Sequence, residues 1–114
     1  MSVKLSTRQV GDVSVMDVTG RITLGEGSSA LRDALRELVG KGQKKILLNL
    51  GDVSYIDSSG IGELVSGFTT VTNAGGQLKL LNLSKRVKDL LQITKLYTVF
   101  EVHDDEAAGV RSFA

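Results

Sequence analysis

The sequence predicts an α/β fold, a mixed sheet of four or five strands flanked by about four helices in the order β-β-α-β-α-β-α-β-α. Short apolar or alternating runs, typical of strands, are interleaved with segments whose apolar residues recur every three or four positions, typical of helices. Glycine-rich turns separate these segments. The 114 residues are 41% hydrophobic, enough for one core, so we expect a single domain over residues 1–114.

The first two strands are predicted to form a β-hairpin. Polar and apolar residues alternate over 3–8, and Gly11-Asp12 is a turn signal before a second strand that starts at Val13. The stretch 19–24 is expected to leave this strand. A run of glycine and serine over 25–29 then breaks it and offers an N-cap for a helix over 30–40, which ends at Gly40-Lys41-Gly42.

The segment 45–50 is almost entirely apolar, as expected for a central strand covered on both faces. A helix follows, with apolar residues at helical spacing from Ile61 to Val71. Further elements are a strand over 77–83, a short helix capped by Ser84 and a last strand over 99–102. Acidic residues at 104–106 are predicted to lie in the first turn of a final helix, where the helix dipole favours them.

Composition disfavours several classes of function. The 14 basic and 13 acidic residues are nearly balanced, so bulk charge gives no reason to expect a nucleic acid or an anionic membrane as partner. There is no cysteine, and one histidine, His103, cannot build a multi-histidine metal site. No apolar run approaches the ~20 residues that span a bilayer, and Met1 to Val10 lack the apolar centre of a signal peptide. We therefore expect a cytoplasmic protein without cofactor or metal.

The stretch 57–62, Asp-Ser-Ser-Gly-Ile-Gly, joins the central strand to the next helix. Two hydroxyls and a carboxylate are concentrated at a helix start, where free N–H groups and the positive end of the dipole favour a phosphate. Our hypothesis is that Ser58 receives a phosphate. Simple helix capping by Asp57 or Ser58 explains the same residues and is compatible with that hypothesis.

Enzymatic interpretations of the same stretch have less support. The nucleophile elbow G-x-S-x-G is absent, because Ile56-Asp57 precedes Ser58, and nothing in the sequence places His103 beside it. Asp52, Asp57 and Glu63 match no calcium or zinc spacing, and the phosphate-binding loop motif is missing. Asp52 is expected to be a solvated turn residue. We therefore do not expect an enzyme.

The segments 49–50 and 55–62 resemble the signature of the STAS domain, and are most similar to the bacterial anti-sigma factor antagonists. Gly20-Arg21-Ile22 resembles the G-x-[LI] turn of that family, and the stretch 75–78 resembles its G-G-x-[LM] entry to a strand. The resemblance covers essentially the full chain. It implies a STAS-type fold and identifies Ser58, directly after the aspartate, as the phosphoacceptor.

The resemblance also implies partners. They are a serine kinase of the histidine-kinase-like ATPase type that sequesters a sigma factor, and a PP2C-type phosphatase that resets the switch. We expect a monomer or weak dimer. The expected partner-binding residues surround Ser58 and are Thr23, Asp57, Ser59, Gly60, Ile61, Gly62 and Glu63.

One departure from the family pattern concerns the kinase. Thr23 stands where family members often carry an acidic residue, and the glycine-rich stretch 24–27 follows it. Other STAS domains serve signalling scaffolds or transporters, so the alternative is a partner-binding subunit in which Ser58 is never phosphorylated.

Overall fold

The computed structural model describes residues 3–113, so Met1 and Ser2 of the predicted first segment, and Ala114, lie outside the described residues. The predicted order of strands and helices is confirmed, with one added 3₁₀ helix, Leu96–Thr98. The elements are β1 (Val3–Val10), β2 (Val13–Ile22), α1 (Glu26–Gly40), β3 (Lys45–Ile56), α2 (Ser58–Asn73), β4 (Gln77–Leu81), α3 (Lys85–Ile93), β5 (Val102–His103) and α4 (Glu106–Arg111).

The five strands form one mixed sheet in the order β1-β2-β3-β4-β5. The hairpin pair β1–β2 is antiparallel, whereas β2 through β5 are all parallel. The carboxyl ends of parallel strands lie at the same edge of a sheet, so the segments that leave β2 and β3 come together there. This edge carries the 57–62 stretch.

Both faces of the sheet are covered, by unequal layers. The larger core lies between one face and α1, α2 and α3; from the helices it contains Leu31, Leu35, Ile61, Leu64, Val71, Val87 and Leu91. A smaller cluster on the other face packs Val15, Leu47 and Leu81 against Phe113, with Val110 of α4 beside it. The continuous apolar run in β3 is therefore explained, because Ile46, Leu47 and Leu48 are all fully buried.

The predicted start of α1 was wrong. The helix begins at Glu26, four residues before the predicted position, so Gly27, Ser28 and Ser29 lie inside it and only Gly25 of the glycine–serine run is at the cap. Gly25, with φ of 94°, is the N-cap and makes no side-chain cap bond. Gly27 packs so closely that a Cβ there would lie 2.7 Å from the carbonyl oxygen of Arg21. Tertiary packing thus overrides the poor helix propensity of these residues.

Three strand predictions also need correction. The strand predicted over 77–83 ends at Leu81, and Asn82 after it has a positive φ of 57°. The strand predicted over 45–50 continues to Ile56, because the later part of β2 pairs with it beyond a register irregularity after Asp17. Asp52 is exposed, as expected, but lies in this strand and not in a turn. The last strand is Val102–His103, shorter and later than predicted, because the 3₁₀ helix and the helical backbone of Val99 precede it. Phe100 is buried in the core, edge-on to Phe68 with ring centroids 5.6 Å apart.

Candidate functional site

Asp57 is the residue that turns β3 into α2. Its backbone is extended, with φ of −107° and ψ of −175°, and it is the N-cap of α2. Its Oδ1 accepts hydrogen bonds from the backbone N–H of Gly60 at 2.9 Å and from the hydroxyl of Ser59 at 2.7 Å. The carboxylate therefore satisfies a backbone donor that the helix start would otherwise leave unpaired.

The same carboxylate fixes the loop between β2 and α1. Its Oδ2 accepts the backbone N–H of Leu24 at 3.2 Å, and the backbone N–H of Asp57 donates to the carbonyl oxygen of Ile22 at 3.3 Å. Ser28 adds a second link, because its Oγ donates to the carbonyl oxygen of Thr23 at 2.9 Å and lies 3.3 Å from Oγ of Ser59. The loop and the helix start thus form one fixed surface.

Hydrogen bonding keeps Asp57 charged. Partial burial raises the pKa of its carboxyl, but the hydroxyl of Ser59 and the backbone N–H groups of Gly60 and Leu24 together outweigh this. The pKa of Asp57 therefore lies below its ordinary value of 3.8. At neutral pH the carboxylate is ionised, which strengthens its bonds to both segments.

Ser58 is the first residue of α2 and is exposed. Within residues 3–113 its hydroxyl makes no hydrogen bond, whereas the neighbouring hydroxyl of Ser59 is held by Asp57 and Ser28. A free, exposed hydroxyl at the positive end of a 16-residue helix is accessible to a modifying enzyme.

The structure divides the predicted partner-binding residues by exposure. Gly62 is exposed, and Thr23, Asp57, Ser59 and Glu63 are partly exposed at the same edge of the sheet. Glu63 is also paired with Arg32 of α1, with Oε2 and Nη2 3.2 Å apart. These residues form a surface around Ser58.

Gly60 and Ile61 do not belong to that surface. Ile61 is only 3% exposed and packs in the main core, and Gly60 is buried against the carbonyl oxygen of Ile22 and the side chain of Ile56. Our assignment of these two residues to direct partner contact is therefore corrected. The apolar spacing that placed Ile61 on the buried stripe of α2 was the stronger signal.

Sequence reasoning missed Leu24, which is 81% exposed and is held through its backbone by Asp57, the residue before Ser58. A partner that covered this side chain would remove its apolar surface from water, which favours binding. The available signal was an isolated leucine in a polar, glycine-rich loop. Ser28 was assigned to capping, and its link to Ser59 depends on a contact between residues 31 positions apart.

The arrangement offers Ser58 no histidine base. The register places His103 beside Leu81, and Leu81 beside Asn49. Ile56 lies seven residues beyond Asn49 along β3, which is about 23 Å at the usual rise of a strand. The end of β3 that leads to Ser58 is therefore that far along the sheet from the level of His103. His103 instead lies with its Nε2 2.6 Å from Oε2 of Glu101.

Two further searches concern residues 3–113 alone. In that range, no group of three or more histidine or acidic side chains is placed to hold a metal ion. Among the described helices, none combines the length and apolarity that crossing a bilayer requires.

The chain was compared with known proteins. The STAS domain family model matches residues 4–109. The anti-sigma-B factor antagonist of Bacillus subtilis is 32% identical over 111 residues, which cover 97% of this chain and 100% of that protein. An anti-sigma-B factor antagonist of Listeria monocytogenes is 27% identical over 93% of this chain and 91% of its own length.

Solved structures show the same fold. An anti-sigma factor antagonist from Mycobacterium paratuberculosis has a TM-score of 0.86 at 18% identity, covering 98% of this chain and 94% of that one. The Bacillus protein SpoIIAA has TM-scores of 0.71 in its unphosphorylated form, at 20% identity, and 0.73 in its phosphorylated form, at 21% identity. Each covers 96% of this chain, and 97% and 99% of SpoIIAA respectively. The chain therefore belongs to the STAS domain family, as a relative of the anti-sigma factor antagonists.

Proposed function

We propose that this chain is an anti-sigma factor antagonist switched by phosphorylation of Ser58. Unphosphorylated, it binds an anti-sigma factor that is also a serine kinase of the histidine-kinase-like ATPase type, and so releases the sigma factor. Phosphorylation of Ser58 ends the binding, and a PP2C-type phosphatase restores it. The observation that carries the proposal is the free, exposed hydroxyl of Ser58 at the start of α2, beside the Leu24 loop that Asp57 fixes.

The switch follows from local charge. A phosphate adds ~1.5–2 negative charges to Ser58, and the N-terminus of α2 favours an anion at that position. The fold should therefore survive the modification. A docked partner would have to desolvate the phosphate, which costs several kcal/mol without a paired cation. Each ~1.4 kcal/mol is a tenfold loss of affinity. Phosphorylation of Ser58 can therefore shift the protein from the partner-bound to the free state.

Two findings on related proteins support the proposal. The Bacillus subtilis protein, related over nearly the full chain, is named for antagonism of an anti-sigma factor. SpoIIAA matches this chain with nearly equal TM-scores in its unphosphorylated and phosphorylated forms, 0.71 and 0.73, so in that protein the STAS fold accommodates the phosphate.

In this function the chain is a binding protein and not an enzyme. It acts in the cytoplasm as a single STAS domain, a monomer or weak dimer, without a cofactor. Ser58 has no histidine base, since His103 lies near Glu101 and about two sheet positions away from β3. We therefore expect the purified protein to hydrolyse neither activated esters nor phosphate esters.

The test is phosphorylation by a serine kinase of the histidine-kinase-like ATPase type from the same organism. Incubation with that kinase and ATP should place one phosphate on Ser58, identified by mass spectrometry of its peptide. Ser58→Ala should abolish the label, and Ser66→Ala, which removes another exposed hydroxyl of α2, is the matched control that should retain it. A label on Ser59 or on a threonine would overturn the assignment of Ser58.

Unlabelled protein that still binds a different partner would favour the alternative function, a STAS subunit of a scaffold or transporter. A sigma-release assay separates the two functions. The unphosphorylated chain should displace the sigma factor from the kinase, and the phosphorylated chain should not.

A further inference from the structure

Two arginines and a tyrosine from three separate elements meet near the carboxyl ends of β2 and β3. Arg21 belongs to β2, Tyr55 to β3 and Arg86 to α3. The guanidinium carbon of Arg21 lies 4.9 Å from the centroid of the Tyr55 ring, and that of Arg86 lies 4.5 Å from it. Both distances are in the range of cation–π contacts. We refer to these residues as the Arg21–Tyr55–Arg86 cluster.

The positive charges of this cluster are not neutralised by carboxylates. Arg8 and Arg32 each pair with acidic side chains, but within residues 3–113 neither Arg21 nor Arg86 has an acidic oxygen within ion-pair distance. Both arginines are exposed. An acidic side chain that approaches either guanidinium group gains an ion pair that the described residues do not supply. Each planar guanidinium can also bind a carboxylate through two parallel hydrogen bonds.

The cluster adjoins the proposed switch. Tyr55 precedes Ser58 by three residues, which limits the distance between their Cα atoms to about 11 Å. Arg21 precedes Ile22, whose carbonyl oxygen accepts the backbone N–H of Asp57. A protein that covers Ser58 and Leu24 would therefore extend over the cluster, since a standard interface buries roughly 800 Å² on each partner.

We propose that the Arg21–Tyr55–Arg86 cluster binds an acidic segment of a partner protein, with carboxylates placed against the two guanidinium groups. This inference goes beyond the proposed function, because it holds whether or not the partner is a kinase and whether or not Ser58 is phosphorylated. The tyrosine ring orders both arginines in advance, which lowers the entropic cost of binding.

A protein segment is a better ligand than a nucleic acid. Nucleic-acid binding requires several phosphate contacts along a basic track. The chain has a formal net charge of only +1, and the cluster supplies two cations, both in contact with one tyrosine ring. Two carboxylates of one acidic segment match this charge.

The test titrates the full chain with a fluorescein-labelled octapeptide of glutamate, followed by fluorescence anisotropy and by NMR of the arginine Nε–H and tyrosine ring signals. We expect the peptide to bind, with the largest shifts at the three cluster residues. Arg21→Gln with Arg86→Gln should weaken binding about tenfold, and Tyr55→Leu should weaken it about threefold because the arginines lose their ordered position.

The matched control removes the same charge elsewhere. Arg36→Gln with Arg111→Gln changes two exposed arginines of α1 and α4 and should change the affinity by less than about twofold. Circular dichroism verifies that each variant is folded, and the shifts in the unmutated chain map the site without any variant. Equal losses in both double variants, no binding of the glutamate peptide, equal binding of a glutamine octapeptide, or tighter binding of an eight-nucleotide oligothymidylate would each overturn the proposal.

Discussion

The carboxylate of Asp57 accepts the backbone N–H of Leu24 across 33 positions of sequence, at 3.2 Å, while it caps the helix that begins with Ser58. One side chain thus sets both the helix start that carries the proposed phosphoacceptor and the loop that exposes a leucine. In the proposed function, the partner would contact both segments, so their relative position is part of the binding surface.

The first prediction separates these two tasks of Asp57. Asp57→Ala should cost about 1 kcal/mol of unfolding free energy, because the N-cap is lost. Asp57→Asn keeps one side-chain oxygen, which can still accept the N–H of Gly60. Its amide NH₂ group then faces the backbone N–H of Leu24 and cannot accept it. Asp57→Asn should therefore be the more stable of the two variants in thermal or urea unfolding, yet should bind the kinase more weakly than the unmutated chain.

A double-mutant cycle tests whether the loss of binding acts through Leu24. Leu24→Ala keeps the backbone N–H but removes the exposed side chain, and should itself weaken kinase binding several-fold. If Asp57 acts by placing that side chain, Asp57→Asn should cost less affinity in the Leu24→Ala background than alone. Strictly additive losses would show that the two residues act independently.

The second prediction uses two glycines of α2 as a matched pair. A Cβ on Gly60 would collide with the carbonyl oxygen of Ile22 and with Ile56, whereas one on Gly62 would meet nothing within 4 Å. Gly60→Ala should therefore destabilise the fold by about 1–3 kcal/mol. Gly62→Ala should stabilise it by about 0.5–1 kcal/mol, because alanine favours the helix.

The same two variants also test whether Gly62 belongs to the interface with the partner. Chemical unfolding measures both stabilities, and a titration with the kinase measures binding. A partner that packs closely on Gly62 should bind Gly62→Ala more weakly although this variant is the more stable one. Unchanged binding would place Gly62 outside the interface, and equal stability of the two variants would contradict the packing at Gly60.

Local patterns predicted much of this architecture. The stripe from Ile61 to Val71 and the caps at Asp57 and Ser84 depend on residues within a few positions of each other, and the structure has them. The features that the sequence did not predict depend on contacts between residues far apart in the chain. Gly51-Asp52 has the composition of a turn, yet β3 continues through it because β2 pairs alongside.

The residues of the candidate site also fall into those that a local stretch of sequence predicts and those that only long-range contacts bring together. Ser58 and its helix start follow from one short stretch and from the family resemblance. The Leu24 contact, the Ser28–Ser59 contact and the Arg21–Tyr55–Arg86 cluster each join residues about thirty or more positions apart. Without the register of β2 against β3, and the position of α3 beside them, no spacing rule indicates these contacts.

The third prediction concerns pH and the attachment of α4. Arg8 of β1 pairs with Asp17 of β2 at 2.7 Å and with Glu106 of α4 at 2.6 Å. Its hydrogen bonds hold the pKa of each carboxyl below its ordinary value, 3.8 for Asp17 and 4.5 for Glu106. Because the folded-state pKa values are lowered, this stabilisation is present above about pH 4.5 and is lost as pH falls through the folded-state values.

Arg8→Gln should therefore destabilise the protein at pH 7 and have little effect near pH 2. The pairs are partly exposed, so we expect a loss of about 0.5–1 kcal/mol at pH 7. Urea unfolding at several pH values measures it. Lys85→Gln, whose partner Asp89 lies on the same helix, is the control. An Arg8→Gln effect that persists undiminished at pH 2 would exclude the ion pairs as its cause.

The last prediction distinguishes a local charge switch from a switch by unfolding. Ser58→Asp places a negative charge at the first residue of α2, where the helix dipole favours it, so the far-ultraviolet circular dichroism and the unfolding midpoint should change little. Kinase binding should nevertheless fall by tenfold or more, because the docked partner must desolvate that charge. Ser58→Asn, of similar size but uncharged, should bind more tightly than Ser58→Asp, and Ser58→Ala should bind and stay bound in the presence of ATP. If Ser58→Asp unfolds the protein while Ser58→Asn does not, the negative charge beside Asp57 disrupts the helix start itself, and the mechanism of a charge tolerated by an intact fold is wrong.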